Sequence, residues 1–170
     1  ITCKFIGGRP DGMSWYATTI GVYMTDGCNN RTGTEGDGVD DLGERNLIAA
    51  EEAASITGSL STFNRVSGNY LNMKIDGDHL IYETPPPGYS GCLSGVVLRD
   101  GTSYNLIGTD GIGIDNEVER NLIAAYYGRG FDISCQLSTL GGLAIGLDNA
   151  HHNTIAGNYI GVNRAGDATS

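Results

Sequence analysis

The chain has 170 residues, a net charge of −10 and 27 glycines against only 4 prolines. Such a charge gives no basic surface for DNA or RNA, and no apolar run is long enough to span a membrane. The glycines lack a period of three, which excludes collagen, and short alternating apolar blocks argue against disorder.

A chain of this length fits one domain, taken here as 1–170. It starts at Ile1 with no visible signal peptide, as expected of a mature or trimmed product. Cys3 to Ile6 is a short apolar piece, and the turn Gly7 to Gly12 follows. Trp15 to Met24 is rich in β-branched and aromatic residues, which predicts a strand closed by Asp26-Gly27. Residues 33–45 form a glycine- and acid-rich loop that Arg45-Asn46-Leu47-Ile48 leaves as a short strand. Glu51 to Ala54 is the one expected helical turn. Residues 64–82 predict short strands broken at Gly68-Asn69 and Asp76-Gly77-Asp78, and Pro85-Pro86-Pro87-Gly88 marks an excursion over 83–91. Cys92 to Leu98, 143–147 and Asn153 to Val162 predict further strands.

Two stretches repeat. Residues 33–50 and 108–125 are identical at 12 of 18 positions, at an offset of 75. Residues 64–78 match 153–167 at an offset of 89, keeping Asn, Gly-Asn-Tyr and Gly-Asp. Short strands, turns and internal repetition with loop-sized insertions predict an all-β solenoid, in which stacked turns share one core. Rungs of roughly 18–25 residues predict about seven to nine of them. Asn46, Asn64, Asn105, Asn121 and Asn153 each precede a short apolar strand. Their amides are expected to bond the same amide one rung away, a structural role.

The motifs Asn-x-Ile/Val-x-Gly-Asn-Tyr-Ile/Leu and Gly-Thr-Asp/Glu-Gly-x-Gly with Glu-Arg-Asn-Leu-Ile resemble the repeats of secreted right-handed parallel β-helix proteins of pectate-lyase-like architecture. The same repeats occur in microbial surface proteins. The resemblance implies a right-handed parallel β-helix outside the cell. That architecture carries lyases, hydrolases, epimerases, adhesins and purely structural proteins.

Several residues are candidates for chemistry. Glu35, Asp37, Val39, Asp41 and Glu44 are spaced like the calcium loops of thrombospondin type 3 and EF-hand-like repeats, with Gly33 where the first carboxylate belongs. Asp110, Asn116 and Glu119 form a sparser second copy. Calcium is thus the one cofactor the sequence suggests. Arg45 and Arg120, beside Glu44 and Glu119, suggest repeated ion pairs rather than a catalytic base. Asp76, Asp78 and His79 form a lone polar cluster best read as a turn, and His151-His152 lacks a third ligand. Trp15, Tyr126, Tyr127 and Tyr159 would stack on sugar rings if exposed, or pack in the core.

Cys3, Cys28, Cys92 and Cys135 have no zinc spacing and suit two disulfides in an oxidising compartment. Of three connectivities, 3–28, near one rung apart, and 92–135, near two rungs or one rung with an insertion, are expected. Asn30-Arg31-Thr32 is a glycosylation sequon at Asn30. The expected function is that of a secreted structural or adhesive β-solenoid, self-assembling head to tail with other copies into an extracellular filament or surface layer. The alternatives are a carbohydrate-active enzyme or a sugar-binding module, with polysaccharide as the partner.

Overall fold

The structure, a computed structural model, describes residues 1–15, 18–81, 94–113, 115–124 and 145–167. Among these there is no helix; the chain winds through thirteen short strands. They are β1 (Phe5–Ile6), β2 (Ile20–Thr25), β3 (Arg31–Gly33), β4 (Leu47–Ile48), β5 (Glu52–Thr57), β6 (Arg65–Ser67) and β7 (Tyr70–Leu71). After them come β8 (Ser94–Arg99), β9 (Leu106–Gly108), β10 (Leu122–Ile123), β11 (Ile145–Asp148), β12 (Thr154–Ala156) and β13 (Tyr159–Ile160).

Every third strand returns to the same sheet. One sheet, here sheet A, runs β1-β4-β7-β10-β13; sheet B runs β2-β5-β8-β11; sheet C runs β3-β6-β9-β12. All of these pairings are parallel. Parallel neighbours joined by long connections, with three sheets facing one interior, make a parallel β-solenoid. After β1 the described strands form four B–C–A turns, fewer than the seven to nine expected. The reason lies in the connections. Successive asparagines at one corner are separated by 23, 52 and 37 residues, so most turns carry large loops.

The interior is filled in columns. Met24, Ile56, Leu98 and Leu147 share one register position of sheet B. Thr32, Val66, Ile107 and Ile155 share one in sheet C. Ile6, Ile48, Leu71, Ile123 and Ile160 share one in sheet A. Ile48, Ile56, Leu71, Leu98, Ile107 and Ile123 are fully buried, and each contributes about 1.5–3 kcal/mol of transfer free energy. Of residues 51–54, expected as a helical turn, 52–54 open strand β5 instead. Ala54 and Ile56 stand in register with Val22 and Met24, so the period of two, not local propensity, decides the conformation.

Two corners are held by asparagine ladders. Before each sheet-C strand, Asn30 donates its amide to Asn64, Asn64 to Asn105, and Asn105 to Asn153, each at 2.9 Å. Before each sheet-A strand from β4 on, Asn46, Asn69, Asn121 and Asn158 do the same at 2.9–3.1 Å. The residues ahead of the first ladder, Asn29, Phe63, Tyr104 and His152, all take φ between 54° and 58°. That left-handed step turns the chain into the next sheet. Asn30, the sequon residue, is thus the first member of a ladder, and Thr32 of the sequon is buried.

The expected bridge between Cys3 and Cys28 is not formed: both thiols are free and exposed. Cys3 leads into sheet A, its Sγ against the Gly43 carbonyl. Cys28 sits on the turn between β2 and β3, next to Asn29, which bonds Thr62. The two occupy different corners, because Phe5 finds its rung neighbour only at Leu47. Cys92, Cys135, the 83–91 excursion, Tyr126, Tyr127 and residues 143–144 lie outside the described residues.

Candidate functional site

Short turns and long loops alternate at the corner between sheets C and A. Gly68-Asn69 and Gly157-Asn158 join β6 to β7 and β12 to β13 directly, whereas residues 34–45 and 109–120 form loops after β3 and β9. The two repeats found in the sequence are therefore two rungs apart. The acidic loops lie along one edge with a tight turn between them, where the Gly68 N–H donates to the Glu119 carbonyl.

Both acidic loops fold alike. Thr34 Oγ1 donates to Asp41 at 2.5 Å, and Thr109 Oγ1 to Asn116 at 2.6 Å. Glu44 accepts the Glu35 N–H, and Glu119 accepts the Asp110 N–H. Arg31 forms ion pairs with Glu35 and Glu44, and Arg65 with Asp110 and Glu119. The guanidiniums thus come from one register position of sheet C, Arg31 beside Arg65. They do not come from Arg45 and Arg120, whose side chains lie on the other side of the corner. The carboxylates proposed for calcium are committed to these donors, and Asp37 accepts the N–H of Val39. Among the described residues no three His, Cys, Asp or Glu side chains gather as a metal cage.

Asp41 is the buried pivot of the first loop. The Thr34 hydroxyl and the N–H groups of Gly38 and Gly36 hold its carboxyl below the usual carboxylate range, against the opposing effect of burial. A depressed folded-state pKa stabilises the fold above the unfolded value of about 3.9, and that stabilisation is lost as pH falls through the folded value. Asn116 fills the same place in the second loop. Asp41→Asn is therefore expected to cost less than about 1 kcal/mol at pH 7 and to reduce acid sensitivity below pH 4. Asp41→Ala, which leaves the Thr34 hydroxyl and the Gly38 N–H unmatched, is expected to cost about 1–3 kcal/mol. Urea unfolding at pH 7 and pH 3 checks both.

Across the corner, sheet A turns a different surface outward. Its strands alternate, so the residues ahead of the inward column lie on the other face: Phe5, Leu47, Tyr70, Leu122 and Tyr159, in register. Phe5 is exposed and Tyr159 half-buried, whereas Leu47, Tyr70 and Leu122 are covered by neighbouring side chains. Arg45 leaves the first acidic loop and lies over the Tyr70 ring of the next rung, its guanidinium carbon 4.3 Å from the centroid. Arg120 leaves the second loop and lies over Tyr159 in the same way, at 5.1 Å, with Nη1 donating to the Tyr159 hydroxyl at 2.9 Å. Rungs with long loops supply the arginines, and rungs with Gly-Asn-Tyr turns supply the tyrosines.

These pairs sit in a groove made of two cavities. One, of about 310 Å³, is lined by Lys4, Phe5, Leu42, Arg45, Tyr70 and Ile75, among others. The next, of about 340 Å³, is lined by Glu117, Arg120, Leu122, Tyr159 and Arg164 together with Leu42, Arg45 and Tyr70. The two cavities adjoin at these shared residues. Phe5, Leu42 and Ile75 are 44%, 64% and 50% exposed, so its floor near β1 is open and apolar.

Other polar and aromatic clusters are less suited to binding. Asp76 accepts N–H groups from Asp78 and His79 and pairs with the His79 ring at 2.8 Å, which closes the expected turn. Phe63, Tyr104 and His152 form an exposed column, but their rings stack on each other at 5.6 and 5.3 Å, so neighbouring faces are already covered. Trp15 packs with Ala49 and Ile81. The arginine–tyrosine groove was not foreseen from sequence; the one signal for it is that Arg45/Arg120 and Tyr70/Tyr159 recur in the two repeats. No family model, curated protein or solved structure matches this chain, so its function has to be read from its own residues.

Proposed function

We propose that this protein is an extracellular adhesive β-solenoid that holds a polysaccharide against the outer face of sheet A. The observation that carries this reading is the pair of adjoining open cavities, with Phe5, Leu42 and Ile75 exposed at one end and two arginine–tyrosine pairs lining them. Aromatic and apolar side chains on a rigid scaffold cover the flat faces of sugar rings, and fixed guanidiniums supply planar donors. The ladders make the scaffold rigid, and the repeats resemble those of right-handed β-helices on microbial surfaces. Right-handed crossover is also the general rule for parallel strands.

An enzymatic reading finds less support. Glu117 is the one carboxylate among the residues lining the two cavities, whereas glycoside hydrolysis uses a pair. Affinity electrophoresis through a panel of plant and bacterial polysaccharides tests the adhesive reading. Retardation by at least one polysaccharide is expected, with no reducing or unsaturated ends released and with weaker retardation of Phe5→Ala. Released ends would make the protein an enzyme, and free migration through every polysaccharide would end the adhesive reading.

Head-to-tail assembly is a second reading with its own support. Strands β2 and β11 are the outer members of sheet B, and β3 and β12 those of sheet C. Leu147, Ile155 and Ile160, whose register partners are buried, are 38–42% exposed at the β11–β13 end. A further rung, from a second copy or from more polypeptide, would cover them. Sedimentation velocity over a concentration series separates a growing polymer from a fixed species.

A further inference from the structure

We infer that the sheet-A groove is built for a glycan in which an acidic sugar alternates with a neutral one; this rests on the adhesive reading above. The first ground is where the cations are. The protein carries a net charge of −10, yet Lys4, Arg45, Arg120 and Arg164 line the groove against Glu117. Arg164 pairs with Asp78 at 3.7 Å, and Arg31, Arg65 and Arg99 are paired with carboxylates elsewhere. Arg45 and Arg120 form no ion pair among the described residues and lie over tyrosine rings instead. Arg45 is fixed further by Nε donating to the Gly68 carbonyl at 2.9 Å. Arg120 is held in place even though its buried Nε has no acceptor, a loss of stability that calls for a reason. Two planar guanidiniums kept free of carboxylates are ready for an anion that comes from outside.

The second ground is their spacing. Tyr70 and Tyr159 are two rungs apart, with Leu122 between them. Neighbouring strands are about 4.8 Å apart, so the two cationic platforms are about 9.6 Å apart along the groove. An extended acidic peptide does not fit this. Its side chains on one face recur about every 6.7 Å, and the residue that falls near 10 Å points the other way. A sugar chain fits, since two rungs match the advance of one disaccharide. The rung between offers Leu122, which is buried and apolar, and so presents no cation to the intervening sugar. A chain with a charge on every sugar would place every second carboxylate over that rung without a partner.

The test is isothermal titration of the whole protein with four probes of equal length. They are hyaluronan oligosaccharide, in which glucuronate alternates with an N-acetylated sugar, oligogalacturonate with a charge on every sugar, a neutral cello-oligosaccharide, and an oligo-aspartate peptide. Hyaluronan is expected to bind most tightly, and its affinity should fall as salt rises. Arg45→Gln and Arg120→Gln are each expected to weaken it about tenfold or more, at a melting temperature measured alongside. Lys4→Gln and Arg164→Gln, both at exposed positions and the second also losing a 3.7 Å contact with Asp78, give a milder loss and keep the test valid if a stacked arginine proves necessary for folding. Tighter binding of oligogalacturonate would overturn the alternation, and tighter binding of oligo-aspartate would overturn the glycan. Equal binding of the neutral probe, unchanged in all four variants, would overturn the acidic assignment while leaving the adhesive reading standing. Binding of none of the sugars, combined with free migration in the electrophoresis panel, would end both.

Discussion

Replacing Asn69 by alanine is expected to cost about 3–5 kcal/mol, the largest loss from any single polar side chain in the fold. Its amide nitrogen donates to Asn121 Oδ1 at 3.1 Å and to the carbonyls of Thr32 and Ser67 at 2.9 and 3.0 Å. Its carbonyl oxygen accepts from both nitrogens of Asn46, at 2.9 and 3.3 Å. Asn69 is fully buried, so water cannot replace these partners. Leaving a buried donor or acceptor unmatched costs about 1–3 kcal/mol per group, and the neighbours relax enough to keep the total below the simple sum. Asn153→Ala, in the last described rung and partly exposed, is expected to cost no more than about 1 kcal/mol. Chemical denaturation of both variants checks the gradient. Equal losses at the two positions would mean that the ladder does not act as a continuous buried network.

Gly108→Ala is expected to cost more than about 4 kcal/mol or to prevent folding. Gly108 has φ of 104°, and an added Cβ would stand 2.0 Å from the Ala156 carbonyl oxygen. Gly33, its equivalent two rungs away, meets Ser67 in the same way. A clash with backbone cannot be relieved by turning a side chain, and the left-handed φ adds its own penalty. Gly113→Ala separates the two effects. It has φ of 93° but open space around the added Cβ, so only the conformational penalty of about 1–2 kcal/mol remains. Thermal melts of the two variants give the comparison, and similar losses would show that close packing of successive rungs is not what demands Gly108.

Glycine at 33 and 108 explains what the sequence made legible and what it hid. The repeats Gly33-Thr34 and Gly108-Thr109 stand out because a long loop leaves the sheet there, and both the glycine and the threonine serve that exit. The asparagines were legible for a similar reason: each has one fixed task at one corner. The period was not legible. Both offsets span two rungs: the rung between the two acidic loops has only Gly68-Asn69 at that corner, and the rung between the two Gly-Asn-Tyr turns has a twelve-residue loop, so each shares little with its neighbours. The described strands therefore make four turns where seven to nine rungs were expected, and Cys3 was paired with Cys28 on an assumed rung length that this turn does not have.

The groove was hidden differently. Arg45 follows Glu44 and Arg120 follows Glu119, and adjacency suggested ion pairs. Adjacent residues at a strand start face opposite ways, so the glutamates meet Arg31 and Arg65 while Arg45 and Arg120 meet tyrosines of the following rung. Those tyrosines are 25 and 39 residues further along the chain, a distance fixed only by the loops of each turn. Reading that contact required the register of sheet A.

Hydroxyl-radical footprinting with a retained polysaccharide tests most directly whether the outer face of sheet A is the working surface. Phe5, Leu42 and Ile75 are exposed in the groove, while Tyr23, Phe63 and Tyr104 are exposed on other faces. Oxidation of the first three is expected to fall on binding, with the second three unchanged. Protection of Phe63 and Tyr104, or of Tyr23, with the groove still oxidised at its free rate would place the ligand elsewhere and contradict the account.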